Sequence, residues 1–242
     1  FKRWESLMSS RQQEGYTPKG EEMVRLYQDV KAYTSSRSMS GNWLPLGPIL
    51  DEVTTRENIN GVGRTGSLAF HPEDPNTIFI GCPAGGVWRT YDGGDTWTSN
   101  TDDLPTLGVS AIAFNKQNPQ IVYIGTGDRD ANDAPGMGVM KSTDGGLSWD
   151  FSNTGIENLV IGEIIVHPED GNLILAASND GMWRSADAGD SWTFVGLNSS
   201  DYRDMKLKPD NPNVVYSTGS GKFFRSEDFG LTWDWINDGL QS

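Results

Sequence analysis

The octapeptide Thr90-Tyr91-Asp92-Gly93-Gly94-Asp95-Thr96-Trp97 returns three times along the chain, as STDGGLSW from Ser142, SADAGDSW from Ser185 and SEDFGLTW from Ser226. Every copy keeps Ser/Thr-x-Asp-x-Gly-x-Ser/Thr-Trp. A motif that recurs at a fixed spacing decides an architecture before any single residue does. The aspartates Asp92, Asp144, Asp187 and Asp228 are separated by 52, 43 and 41 residues, so one copy carries an insertion. The residue types are those of a pinned turn. An Asp carboxylate accepts backbone N–H groups across a tight bend, Gly supplies a positive φ, and Trp packs down between strands. Asp92, Asp144, Asp187 and Asp228, with Trp97, Trp149, Trp192 and Trp233, are therefore expected to be structural.

The likeness extends outward from the octapeptide. HPEDPN from His71, NKQNPQ from Asn115, HPEDGN from His167 and KPDNPN from Lys208 are turns, each followed by the apolar run TIFIG, IVYIG, LILAA or VVYST. Upstream lie LAF, IAF, IIV and MKL. Each unit thus reads strand, turn, strand, Gly-rich turn, strand, acidic turn, strand. A lone four-stranded sheet cannot cover both its faces, so the units must stack on one another. The fold class expected is all-β, a β-propeller of four-stranded antiparallel blades, four of them present as part of a larger ring. The blades should fall near 61–103, 104–156, 157–198 and 199–242, within a repeat region of 42–242. Residues 1–41 form an N-terminal extension, in which Met23, Leu26, Tyr27, Val30 and Tyr33 make an apolar stripe that predicts a helix near 20–34. Trp43-Leu44-Pro45-Leu46 has the character of an outer strand.

Composition narrows the function classes. Nineteen Lys+Arg against 33 Asp+Glu give a net charge of −14, which opposes nucleic acid and anionic membrane surfaces. A single cysteine, Cys82, forbids an internal disulfide and a multi-cysteine zinc site. No apolar stretch approaches the roughly 20 residues that cross a bilayer. The chain opens on Phe1-Lys2-Arg3-Trp4 without Met or a signal sequence, the reading expected of a mature or trimmed product.

In a repeat, a residue that obeys the period is structural, and one that breaks it is a candidate site. Arg89, Lys141, Arg184 and Arg225 each precede an acidic turn and obey the period. His71 and His167 share one turn position and make poor metal ligands. Arg64, Arg129 and Arg203 break it, and could hold an anionic ligand near the central channel. The insertion GDRDANDAPGMG from Gly127 concentrates Asp128, Asp130, Asn132 and Asp133. Oxygen ligands in that density suit Ca²⁺, although the loop lacks the Gly and Glu of an EF-hand. The competing reading is a solvated acidic loop.

These residues resemble the Asp-box, or bacterial neuraminidase repeat, of sialidases, sortilin luminal domains and xyloglucanase-type propellers. FKRWE, NWLPLGP, the block from Gly61 to Trp97, LGVSAIAF and GTGDRDA are similar to large secreted Bacteroidetes proteins of sortilin-like repeat type. The resemblance implies an export signal before this region, further blades of the same polypeptide, a C-terminal sorting domain of the type IX secretion route, and an extracellular or outer-surface location. It implies a scaffold that binds a protein or glycan, with a glycoside hydrolase and a structural component of a surface assembly as alternatives. Xyloglucanase-type propellers carry a catalytic Asp two residues before a Gly-Gly turn in the first blade. Here Pro83 stands at that place, before Gly85-Gly86, so no catalytic residue is assigned and the sequence leans away from an enzyme.

Overall fold

A computed structural model describes Arg25 and residues 64–130, 134–197, 202–219 and 221–236. Of the expected helix near 20–34 only Arg25 is described, and it is helical and exposed. The rest of the extension, with Trp43 to Leu46, lies outside the described residues.

Sixteen strands make four antiparallel sheets. The first holds β1 (Ser67–Phe70), β2 (Ile78–Cys82), β3 (Gly86–Thr90) and β4 (Thr98–Ser99); the second holds β5 (Val109–Phe114), β6 (Val122–Thr126), β7 (Val139–Ser142) and β8 (Asp150–Phe151). The third holds β9 (Ile161–Val166), β10 (Ile174–Ser178), β11 (Met182–Ser185) and β12 (Thr193–Gly196), and the fourth β13 (Tyr202–Lys208), β14 (Asn211–Gly219), β15 (Lys222–Ser226) and β16 (Asp234–Trp235). Each sheet runs in sequence order from its first strand to its last. β1 packs on β5, β5 on β9 and β9 on β13. The first strands are therefore innermost, and the sheets are the blades of an all-β propeller region. β6 and β10 are buried at every residue because their blades have neighbours on both faces.

The acidic turns join third to fourth strands, as the sequence predicts. In the second blade, Ser142 Oγ accepts the Gly146 N–H at 2.7 Å and donates to Asp144 Oδ1 at 2.7 Å. Asp144 also receives the N–H groups of Leu147 and Ser148 and the Ser148 hydroxyl, at 2.9, 2.9 and 2.6 Å. The arrangement repeats around Asp92, Asp187 and Asp228. Burial alone would raise Asp144, but these donors favour the ionised form and hold it at about 2. Asp187 is lowered by the donors of Ser191 and Ser185, and Asp92, even further, by Thr90 and Thr96. His71 and His167 cap the inner turns, each accepting two backbone N–H groups at Nδ1. Asn115 does the same through Oδ1 in the second blade.

Neighbouring blades meet at a repeated joint. The cation before each of the first three acidic turns reaches a backbone carbonyl in the next blade's turn: Arg89 Nη1 to Gly146 O at 2.7 Å, Lys141 Nζ to Ala188 O at 2.8 Å, Arg184 Nε to Phe229 O at 3.0 Å. Its cross-strand partner, Phe79, Tyr123 or Leu175, lies over the glycine of that turn. A Cβ at Gly146 would come within 2.6 Å of Phe79 Cε2, and one at Gly230 within 2.4 Å of Leu175 Cδ2. Three apolar clusters fill the three spaces between blades. Phe79, Phe114 and Trp149 anchor the first, Tyr123, Ile164 and Trp192 the second, and Leu175, Met205 and Phe229 the third.

Gly146→Ala should lose about 2–4 kcal/mol in urea unfolding, from a left-handed backbone and a clash with Phe79 together. Gly221→Ala, also at positive φ but in open space, should lose only about 1 kcal/mol. Because the folded pKa of Asp144 lies below its unfolded value near 4, its contribution is present above that value and lost as pH falls towards about 2. Asp144→Asn should therefore lower Tm at neutral pH and flatten the dependence of Tm on pH across that interval.

Candidate functional site

The first strands enter the fold through a recurring irregularity. Their pairing slips at Ser110 in β5, at Gly162 in β9 and at Arg203 in β13, and Gly66 precedes β1 at the matching position. Such bulges free carbonyls from the ladder and turn them aside. Antiparallel order brings the connections between second and third strands to this same end, opposite the acidic turns. The insertion of the second blade is one of these connections.

Arg129, in that insertion, donates to Gly162 O at 2.8 Å and to Gly66 O at 3.3 Å, so one guanidinium ties the first and third blades to the second. A chain of opposite charges runs through it across all four blades. Arg64 pairs with Asp128 and faces Asp130 at 3.7 Å; Arg129 faces Asp130 and Glu163, each at 3.8 Å. Lys206 faces Glu163 at 3.6 Å and donates to Asp204 at 2.5 Å. Arg129, Asp130, Glu163, Asp204 and Lys206 line a concavity of about 410 Å³ together with Leu68 and Ile112. Burial pushes Glu163 up from the usual carboxylate range, although Lys206 and Arg129 oppose this. Lys206 is desolvated too, yet the hydrogen bond to Asp204 and the nearby Glu163 hold it above its ordinary value.

Two of the three arginines picked from the sequence, Arg64 and Arg129, do meet here, and they meet carboxylates. Arg203 supplies the bulge of β13, and its side chain lies outside the described residues. Within the insertion the solvated-loop reading fails at Asp128, while Asp130 is half exposed. Asp128 is fully buried beneath Arg64, and Met137 and Gly138 are buried between the second blade and the residues before β9. Asp128 and Asp130 direct oxygens at guanidinium groups, while Asn132 and Asp133 lie outside the described residues. Among the described residues no group of three or more His, Cys, Asp or Glu is placed to hold a metal ion. Arg89, Lys141 and Arg184 act between blades. Pro83 sits in the β2–β3 turn at the same end as the concavity, next to half-buried Cys82, whose thiol burial pushes up.

Sequence reasoning missed Glu163, Asp204 and Lys206. A signal existed: the residue before LAF, IAF, IIV and MKL is Ser67, Ala111, Glu163 and Asp204, so the third and fourth blades put carboxylates where the first two have small residues. With four carboxylates against three cations, the mouth is nearly neutral and densely polar. It offers paired donors and acceptors beside an apolar floor, a surface suited to hydroxyl groups rather than to a concentrated charge.

No family model matches the chain. It is 28% identical over 151 residues to a xyloglucanase of Hypocrea jecorina, covering 56% of this chain and 18% of that protein. It is 25% identical over 214 residues to a xyloglucanase of Acetivibrio thermocellus, covering 72% of this chain and 25% of that one. Among solved structures an ancestral GH74 enzyme superposes with a TM-score of 0.65 at 23% identity, over 82% of this chain and 26% of the other. The chain spans a quarter or less of the length of these relatives, and the structural likeness establishes the propeller architecture.

Arg64 is half exposed but covers the fully buried carboxylate of Asp128. Arg64→Met should therefore destabilise the fold more than Asp130→Asn, which removes a half-exposed charge and should cost under about 1 kcal/mol in chemical denaturation.

Proposed function

We propose that the chain is a segment of a carbohydrate-active propeller of the xyloglucanase kind, working outside the cell, and that a glycan of the β-glucan class is its ligand. The similarity to xyloglucanases over as much as 72% of the chain carries this reading. The mixed-charge concavity supports it, since a sugar presents hydroxyl groups on both sides of an apolar ring face. On this reading the four pinned turns are Asp boxes in the sense of the sialidase and sortilin repeats, and the glycan-handling end of the propeller is the one bearing the insertion.

A second reading, a glycan- or protein-binding module without turnover, is favoured by Pro83. Glycoside hydrolysis requires two carboxyl groups roughly 5–10 Å apart, and a pyrrolidine ring has no proton to give at the position where related propellers place their acid. Hydrolysis by the whole protein would then rest on carboxyl groups elsewhere.

Affinity electrophoresis of the purified chain through gels containing xyloglucan tests the glycan reading directly. Retardation is expected, and Glu163→Gln together with Lys206→Met should reduce it severalfold. Unchanged mobility in xyloglucan and in other β-glucans would sink the reading. Release of reducing ends from xyloglucan by the full polypeptide separates hydrolase from module: release supports the first, and binding without release the second.

A further inference from the structure

The concavity is unevenly supplied with hydrogen-bonding groups. Three carboxylates, Asp130, Glu163 and Asp204, line it against two cations, Arg129 and Lys206. Both cations direct N–H groups into the protein. Arg129 donates to Gly162 O at 2.8 Å and to Gly66 O at 3.3 Å, and Lys206 donates to Met205 O at 2.9 Å and to Asp204 at 2.5 Å. Arg64, the third cation of the mouth, is turned to Asp128. An incoming anion would have to draw these donors away from carbonyls and carboxylates that already hold them.

Glu163 offers the opposite. Its oxygens face Arg129 at 3.8 Å and Lys206 at 3.6 Å, ion-pair separations longer than a hydrogen bond, so the carboxylate keeps acceptor capacity. Its side chain is 28% exposed, which leaves that capacity within reach of a ligand in the concavity. The strand fixes where it stands. Glu163 pairs with Ala177 of β10, the Gly162 carbonyl beside it receives Arg129, and Lys206 lies between it and Asp204 of β13. A sugar hydroxyl or an ammonium group can donate to such a carboxylate, whereas a second carboxylate brought close to it meets like charge in a partly desolvated place.

We propose that the concavity sorts sugar chains by charge, with Glu163 as the residue that sets the preference: hydroxyl- and ammonium-bearing sugars are admitted, and sugars bearing carboxylates are turned away. This preference rests on the reading of the concavity as a glycan site and adds to it the charge class of the glycan. It runs against the anionic ligand that Arg64 and Arg129 suggest from the sequence, because both guanidinium groups are engaged by the protein's own acceptors.

One xyloglucan oligosaccharide in three forms tests it by isothermal titration into the purified chain at neutral pH: unmodified, with its primary hydroxyls oxidised to carboxylates, and with the same hydroxyls converted to amines. The carboxylated form should bind at least about tenfold more weakly than the unmodified one, and the aminated form at least as tightly as the unmodified one. Glu163→Gln should bring the carboxylated form to within about threefold of the unmodified one, whatever it does to the affinity for the latter. Asp95→Asn, which removes one exposed charge from an acidic turn at the opposite end, should leave the ratio as it is in the unaltered chain. Equal binding of the three forms, equal losses in the carboxylated and aminated forms, or equal narrowing of the ratio by Asp95→Asn and Glu163→Gln would overturn the charge preference and leave the glycan reading standing. Failure of every form to bind would remove the glycan reading, and the preference with it.

Discussion

One glycine in the acidic turn of the second, third and fourth blades has to be a glycine, because the preceding blade lies on it. Gly146, Gly189 and Gly230 hold positive φ values of 82, 86 and 78°, and a ring or branched side chain of the preceding blade occupies the space where a Cβ would project. The bend itself is held by an ionised aspartate and a serine or threonine hydroxyl, groups that satisfy its N–H donors locally. With the turn fixed, its carbonyls are fixed too, and the cation of the preceding blade has a stationary target. The apolar clusters between blades then close around Phe79, Tyr123 and Leu175. The pinned turn thus acts twice, once within its own hairpin and once as the surface on which the preceding sheet is seated.

The sequence made the blade plan readable because the information is local. Turn residues, alternating apolar runs and the fixed spacing of Asp92, Asp144, Asp187 and Asp228 all lie within one unit, and four sheets in sequence order follow from them. The joint was half legible. That Arg89, Lys141 and Arg184 are structural follows from their regularity, but their acceptors are carbonyls some 45–57 residues away, and no side chain at the receiving end announces them. The channel mouth was less legible. Arg64 and Arg129 stood out by breaking the repeat, yet their partners lie in the insertion, just before β1 and in β9, and the bulges of the inner strands leave no residue signature. Asp128 looked like part of a hydrated acidic loop because composition reports charge density, whereas burial depends on where Arg64 falls in space.

The two ends of the propeller region differ in how they tolerate variety. At the end with the acidic turns, each blade repeats the same pinned geometry. At the opposite end, the connections between second and third strands range from a few residues to the insertion of the second blade, and the inner strands carry Ser67, Ala111, Glu163 and Asp204 at one equivalent position. A rigid wall with a variable rim is the arrangement in which recognition can change while the sheets do not. The alternation of Arg64, Asp130, Arg129, Glu163, Lys206 and Asp204 also stiffens that rim, since each charge is held between neighbours.

The receiving side of each joint is main chain. Ala188 and Phe229 differ completely as side chains, yet their carbonyl oxygens serve Lys141 and Arg184 alike, and Arg89 reaches the carbonyl one position further on, at the turn glycine Gly146. The seam is therefore lopsided: where the accepting carbonyl belongs to the residue before the turn glycine, that residue can vary widely without loosening the contact, while the donor is confined to long cationic side chains. Units duplicated within such a gene would arrive already compatible with their neighbours, because adhesion is written into peptide geometry that every copy reproduces.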